Sequence, residues 1–113
     1  MKRIIMVVDS DPNYLTKIRD ALFAVGHEVR VFEDPETALR HIRAGGVAYD
    51  LLLVEEKAPF EVLDDDARFN DLPIAVGLKK NPLPHLLHDL PELVEGFIRA
   101  AAQPPISDRR RLQ

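Results

Sequence analysis

Two short apolar runs, Ile4-Ile5-Met6-Val7-Val8 and Leu51-Leu52-Leu53-Val54, constrain this chain more than any other feature of it. Each is too short for a membrane span or a typical buried helix, and neither alternates with polar residues. A run with no polar side must be covered on both faces, which is the situation of a central strand in a parallel sheet. Both runs are followed by acids: Asp9 and Asp11, with Ser10 between them, after the first, and Glu55 and Glu56 after the second. Lys2 and Arg3 precede the first run in the charge order of a signal peptide, but five apolar positions are too few for one, so the segment reads as a strand.

Helix signals fill the intervals between strands. Asp11-Pro12 offers a side-chain acceptor at an N-cap and a proline at the first helical position. Leu15, Ile18, Leu22 and Val25 then recur at helical spacing, and Gly26 marks the stop. Glu28-Val29-Arg30-Val31-Phe32 alternates, as expected of a strand with one less covered face at a sheet edge. Asp34-Pro35-Glu36 repeats the start signal for a helix through Ala38, Leu39 and Ile42 to Gly45-Gly46. After the second apolar run the pattern predicts a short acidic helix over 60–69 and a fourth strand over 72–78, with Pro73 among its first residues. It then predicts a loop from Lys79 to Pro84 and a last helix from about Pro91. That helix carries Val94, Phe97, Ile98 and Ala101 on one face and ends before Pro104-Pro105.

Strands and helices that alternate over 113 residues make one α/β domain of right-handed βαβ units with helices on both sheet faces. The expected fold class is a flavodoxin-like three-layer sandwich, its parallel sheet taking the flavodoxin-like order 2-1-3-4. The loops after the first and third strands then meet at the switch point, where function is expected. The domain is expected to span 1–103, with 104–113 as a tail or linker leading into a longer protein. Hydrophobic residues at 46% and charged residues at 30% argue for a soluble globule, with cytoplasm as the default compartment. A net charge of -4 gives no broad attraction to nucleic acid, so Arg109, Arg110 and Arg111 read as a solvated tail. With no cysteine, the fold relies on neither disulfides nor thiolate metal sites.

Clustered carboxylates at strand ends can hold a hard cation such as Mg²⁺; alternatively Asp11 merely caps its helix while the others are loop charges. Val7-Val8-Asp9-Ser10-Asp11-Pro12 and Tyr49-Asp50-Leu51-Leu52-Leu53-Val54-Glu55-Glu56-Lys57-Ala58-Pro59 resemble the two acidic motifs of response-regulator receiver domains, at the family's spacing. The resemblance runs from about Lys2 to Val76. It implies that Asp9 is the first acid of a Mg²⁺-holding pair, that Ser10 replaces the second, and that Glu55 stands where the family has its phosphoaccepting aspartate. Glu55 is one methylene longer, which displaces its carboxylate from an in-line phosphoryl group. Losing the carboxylate at position 10 weakens Mg²⁺ binding, so no cofactor is expected, with Mg²⁺ the remaining possibility.

The second half departs further from the family. Gly77 or Leu78 falls at the family's hydroxyl-bearing switch position, and Lys80-Asn81-Pro82 is only faintly similar to its lysine-proline step. That step follows the fourth strand directly, leaving no room for the intervening helix and fifth strand, so a final helix is expected in their place. The resemblance therefore implies an atypical, non-enzymatic receiver in a phosphorelay-related signalling pathway, with Glu55 as a fixed negative charge. It would act by protein–protein contact, with Val94, Phe97 and Ile98 or the edge of the fourth strand as the surfaces, and a homodimer as one way to cover that edge. No nucleic acid or membrane partner is expected. Two alternatives remain at this point. Asp9-x-Asp11 also resembles the first motif of haloacid dehalogenase-type phosphatases, although Asn13 and the lack of late paired aspartates depart from it. A receiver still phosphorylated, on Glu55 or a nearby carboxylate, is the other. His85 and His88 read as solvent-facing, not as metal ligands, because no partner ligands are spaced to help them.

Overall fold

The computed structural model describes residues 2–69, 71–77 and 83–102, the side chains of 83–88, 101 and 102 excepted. Its elements are β1 (Ile4–Val8), α1 (Pro12–Ala24), β2 (Glu28–Phe32), α2 (Pro35–Ala44), β3 (Leu51–Val54), β4 (Ile74–Val76) and α3 (Leu83–Ala102). Two 3₁₀ segments, Ala58–Asp65 and Ala67–Phe69, lie between β3 and β4. All four strands are parallel, in the expected order β2-β1-β3-β4. Among the described residues there is no fifth strand.

The two solid apolar runs occupy the centre of this sheet, and both faces of each are covered. Ile5, Val7, Leu51, Leu53 and Ala75 point to one side, where Leu15, Ile18 and Leu22 of α1 and Leu90 and Val94 of α3 close over them. Met6, Val8, Leu52 and Val54 point to the other, against Ala38 and Ile42 of α2 and Phe60 and Leu63 of the first 3₁₀ segment. Both Asp-Pro starts are real caps. Asp11 accepts from the N–H groups of Asn13 and Tyr14, and Asp34 from those of Glu36 and Thr37. Edge strand β2 keeps its alternating residues only partly covered, as its pattern requires.

Four expectations need correction. Val25 does not continue the α1 stripe: it is the C-cap residue and 48% exposed, because the helix stops one residue earlier. The helix expected over 60–69 is instead the pair of 3₁₀ segments, in which Phe60 and Leu63, three apart, eclipse on one buried side at the three-residue period of that helix. The fourth strand is shorter than 72–78, being confined to Ile74–Val76. The last helix begins at Leu83, inside the expected loop, and carries Pro91 in its interior.

Pro91 removes the N–H that would bond the Leu87 carbonyl, a loss of roughly 3 kcal/mol in a helix interior. Leu90 and Val94, 1% and 0% exposed on the sheet, each contribute roughly 1.5–3 kcal/mol by burial, enough to carry the helix through. Val94 is therefore core, while Phe97 and Ile98 pack against the same cluster and stay partly exposed. The far end of α3 is pinned to the start of β1 by a bidentate fork: Arg3 Nε and an Arg3 terminal nitrogen donate to the two Glu95 carboxylate oxygens at 3.0 and 2.8 Å. The expected boundary at 103/104 and the tail 104–113 lie outside the described residues.

Candidate functional site

The sheet ladder runs one residue past the strand ends and thereby fixes the crevice. Asp9 N–H donates to the Phe32 carbonyl, Glu55 N–H to the Val8 carbonyl and Gly77 N–H to the Val54 carbonyl, each at 3.1 Å. Residues 9, 55 and 77 are thus held side by side at the carboxyl edge by backbone bonds that do not depend on their side chains. The two acidic loops meet there as expected. Glu55 Oε1 accepts from the Ser10 backbone N–H at 3.2 Å and from the Ser10 hydroxyl at 3.1 Å. A strap from β3 to the β1–α1 loop results.

Asp9 is 3% exposed, and its Oδ1 accepts the Asp11 N–H at 2.8 Å, tightening the turn into α1. Tyr14 lies behind it. Burial, and secondarily the Asp9 charge, push the Tyr14 phenol up to about 12. The space between Asp9, Tyr14 and Glu55 is only about 10 Å³, at or below the size of one water. An adjoining groove of about 130 Å³ is lined by Ser10, Glu33, Glu55, Glu56 and Phe60 among others, which makes it acidic and small. A larger groove of about 690 Å³ sits at the opposite end of β3, around Tyr49, Asp50, Arg68 and Phe69, away from all of these acids. Size alone does not locate this site.

Magnesium, which the resemblance implies, needs several oxygens turned toward one point. One oxygen of each acid is engaged within the fold: Asp11 Oδ1 caps α1, Asp9 Oδ1 accepts the Asp11 N–H, and Glu55 Oε1 accepts from Ser10. Among the described residues no group of three or more acidic or histidine side chains is placed to hold a metal ion. The residues present do not fit that ion.

Gly77 adopts φ +77°, a left-handed conformation that costs a side-chain-bearing residue roughly 1–2 kcal/mol. Gly77 is one of the two residues that the resemblance puts at the hydroxyl-bearing position; the other, Leu78, lies outside the described residues. Lys80 lies outside the described residues, as do the side chains of His85 and His88. The nearby cation Lys57 is directed to Asp64, 3.2 Å away. Sequence patterns did not mark Tyr14 as a neighbour of Asp9, nor the pairing of His27 and Glu95 with Arg3. Tyr14 stands four residues before Ile18, a spacing that shares a helix face, whereas nothing in the sequence signals a contact spanning ninety-two positions.

No protein-family model and no curated protein matches this sequence. Solved structures do. The chain is similar to the chemotaxis response regulator CheY4 of Vibrio cholerae, with 16% identity, TM-score 0.59 and coverage of 67% of this chain and 68% of that one. It is also similar to a transiently phosphorylated switch in bacterial signal transduction, at 21% identity and TM-score 0.69 over 91% of this chain and 100% of that one. A third is a yeast Spc42 trimeric coiled-coil segment fused to another structure, at 17% identity and TM-score 0.72, covering 99% of this chain and 88% of that one. These likenesses show the fold: CheY-like, of the flavodoxin-like α/β type, with four strands among the described residues.

Proposed function

We propose that this chain is an atypical receiver-like signalling domain that acts by binding other proteins, its phosphoacceptor position taken by a glutamate that holds the crevice shut. The observation that carries the reading is the pair of hydrogen bonds from Ser10 to Glu55 Oε1, which use the carboxylate that would otherwise meet a phosphoryl donor. The left-handed Gly77 and the poor metal donor set support it, because transfer would lack both the hydroxyl and the cation that neutralise the moving charge. Asp11, spent on its helix cap, weighs against a phosphatase in which it is the general acid. The domain is accordingly read as non-enzymatic.

The contact surface we favour is the outer edge of β4. Val76 is 47% exposed there, and among the described residues β4 is paired on one side alone. A second copy of the chain is one partner that edge suits. Among the described residues no helix is long and apolar enough to cross a membrane, and with a net charge of -4 the reading includes neither membrane nor nucleic acid and places the protein in the cytoplasm.

Incubation with acetyl phosphate and Mg²⁺, followed by intact-mass measurement, tests the closed pocket. The expected result is unmodified protein, and stoichiometric phosphoryl addition at Glu55 would reject the reading. Light scattering over a concentration series tests the edge: a dimer that Val76→Lys dissociates is expected, and a chain monomeric throughout removes the homodimer.

A further inference from the structure

His27 is one of two buried polar or charged residues in the described core, at 6% exposure, and the crevice chemistry makes no use of it. It lies at the opposite end of the sheet, in the turn between α1 and β2. Its ring nitrogen Nδ1 lies 3.0 Å from the backbone nitrogen of Arg3. A backbone N–H can only donate, so Nδ1 must be the acceptor and the ring must be neutral, with its proton on Nε2. Arg3 is a junction. Its N–H goes to His27, its carbonyl accepts from Glu28 at 2.9 Å, and its guanidinium forks onto Glu95 of α3. One residue therefore joins β1, β2 and α3, and a titratable ring holds it.

We propose that His27 is a proton-sensitive latch: protonating Nδ1 expels the Arg3 N–H, loosens Arg3 and thereby undocks α3 from the sheet.

Protonated Nδ1 would set an N–H against an N–H, leaving a part-buried donor unpaired and a second cation beside Arg3. The charges facing the ring come from every neighbouring element. Arg3 and the amino terminus oppose a second positive charge, whereas Glu95 of α3 and Asp50 before β3 favour it. Lys2, Arg19, Asp20 and Glu28 border the same surface groove, Lys2 and Glu28 at 3.7 Å and Arg19 and Asp20 at 3.4 Å from each other, so those pairs largely offset. Burial outweighs the rest and holds His27 below its ordinary 6.5. The sign follows. The unfolded or undocked state binds the proton more tightly, so the latch is fully engaged above about pH 6.5 and weakens as pH falls from there through the lowered folded value.

The test is amide hydrogen exchange on the full chain between about pH 7.5 and about pH 5.5, corrected for intrinsic exchange rates, a window above ordinary carboxylate titration. The comparison is wild type against His27→Asn, whose Oδ1 can accept the Arg3 N–H but cannot titrate. In wild type the amides around Leu90 and Val94 should exchange severalfold faster at the acid end, while those of α2 on the other face change less. In His27→Asn that acceleration should vanish. Equal acceleration of α2 and α3, or an unchanged response in His27→Asn, overturns the proposal. If His27→Asn folds poorly, the His27 ring titration followed by NMR in wild type decides instead: a midpoint at or above 6.5 overturns it, and a lower midpoint matched by the α3 exchange curve supports it.

Discussion

Glu55 Oε1 takes two hydrogen bonds from one residue, Ser10, 45 positions earlier in the chain. Both partners are exposed, so Ser10→Ala should change stability by no more than about 0.5 kcal/mol. Its effect belongs to the crevice. Changing both ends, Ser10→Asp with Glu55→Asp, swaps the strap for two shorter carboxylates beside Asp9, and Mg²⁺ should then bind. An NMR titration should show saturable shifts around residues 9–11 and 55 in the double variant and none in wild type.

Asp11 is a cap, and its variants should behave accordingly. Asp11→Ala strips the acceptor from the Asn13 and Tyr14 N–H groups and should cost about 1 kcal/mol in urea unfolding, whereas Asp11→Asn, which keeps an acceptor, should cost little. Metal-dependent hydrolysis of a small phosphate ester, lost in Asp11→Asn, would be the opposite outcome.

Phe60, 1% exposed, is the plug that seats the first 3₁₀ segment on the sheet. Phe60→Ala should destabilise by about 3–5 kcal/mol. Val62, two residues on and 46% exposed, should tolerate alanine within about 0.5 kcal/mol. Chemical denaturation of the two variants checks the burial pattern of this 3₁₀ segment.

Tyr14 should lose its phenolic proton only near 12, against an ordinary 10.0. A folded value raised above the unfolded one contributes stability that is complete below about pH 10 and is lost as pH rises toward 12. Ultraviolet titration should show this late step and its absence in Tyr14→Phe. Asp9→Asn should bring the midpoint down only part of the way, because burial is the larger cause and remains.

The parts of the fold legible in the sequence are those where one local signal has one physical solution. Ile4–Val8 and Leu51–Val54 had no polar side, so only the sheet centre could take them. Asp11 and Asp34, each before a proline, supplied the missing acceptor and the right φ together. The meeting of Ser10 and Glu55 followed from strand order, once that was granted. Pro91 misled because proline is a local penalty, while Leu90 and Val94 repay it through contacts with distant strands. The 60–69 segment misled because two apolar residues three apart satisfy either helix type. His27, Arg3 and Glu95 were silent, since hydrogen bonds across the tertiary structure leave no periodicity behind.

The left-handed turn at Gly77 has a consequence for any hydroxyl written into that position. Writing serine or threonine into that position supplies the oxygen on a main chain bent the wrong way for it, with the β-branched threonine the worse fit. A working design has to reshape the peptide path after β4 first, and only afterwards does the choice of side chain begin to matter.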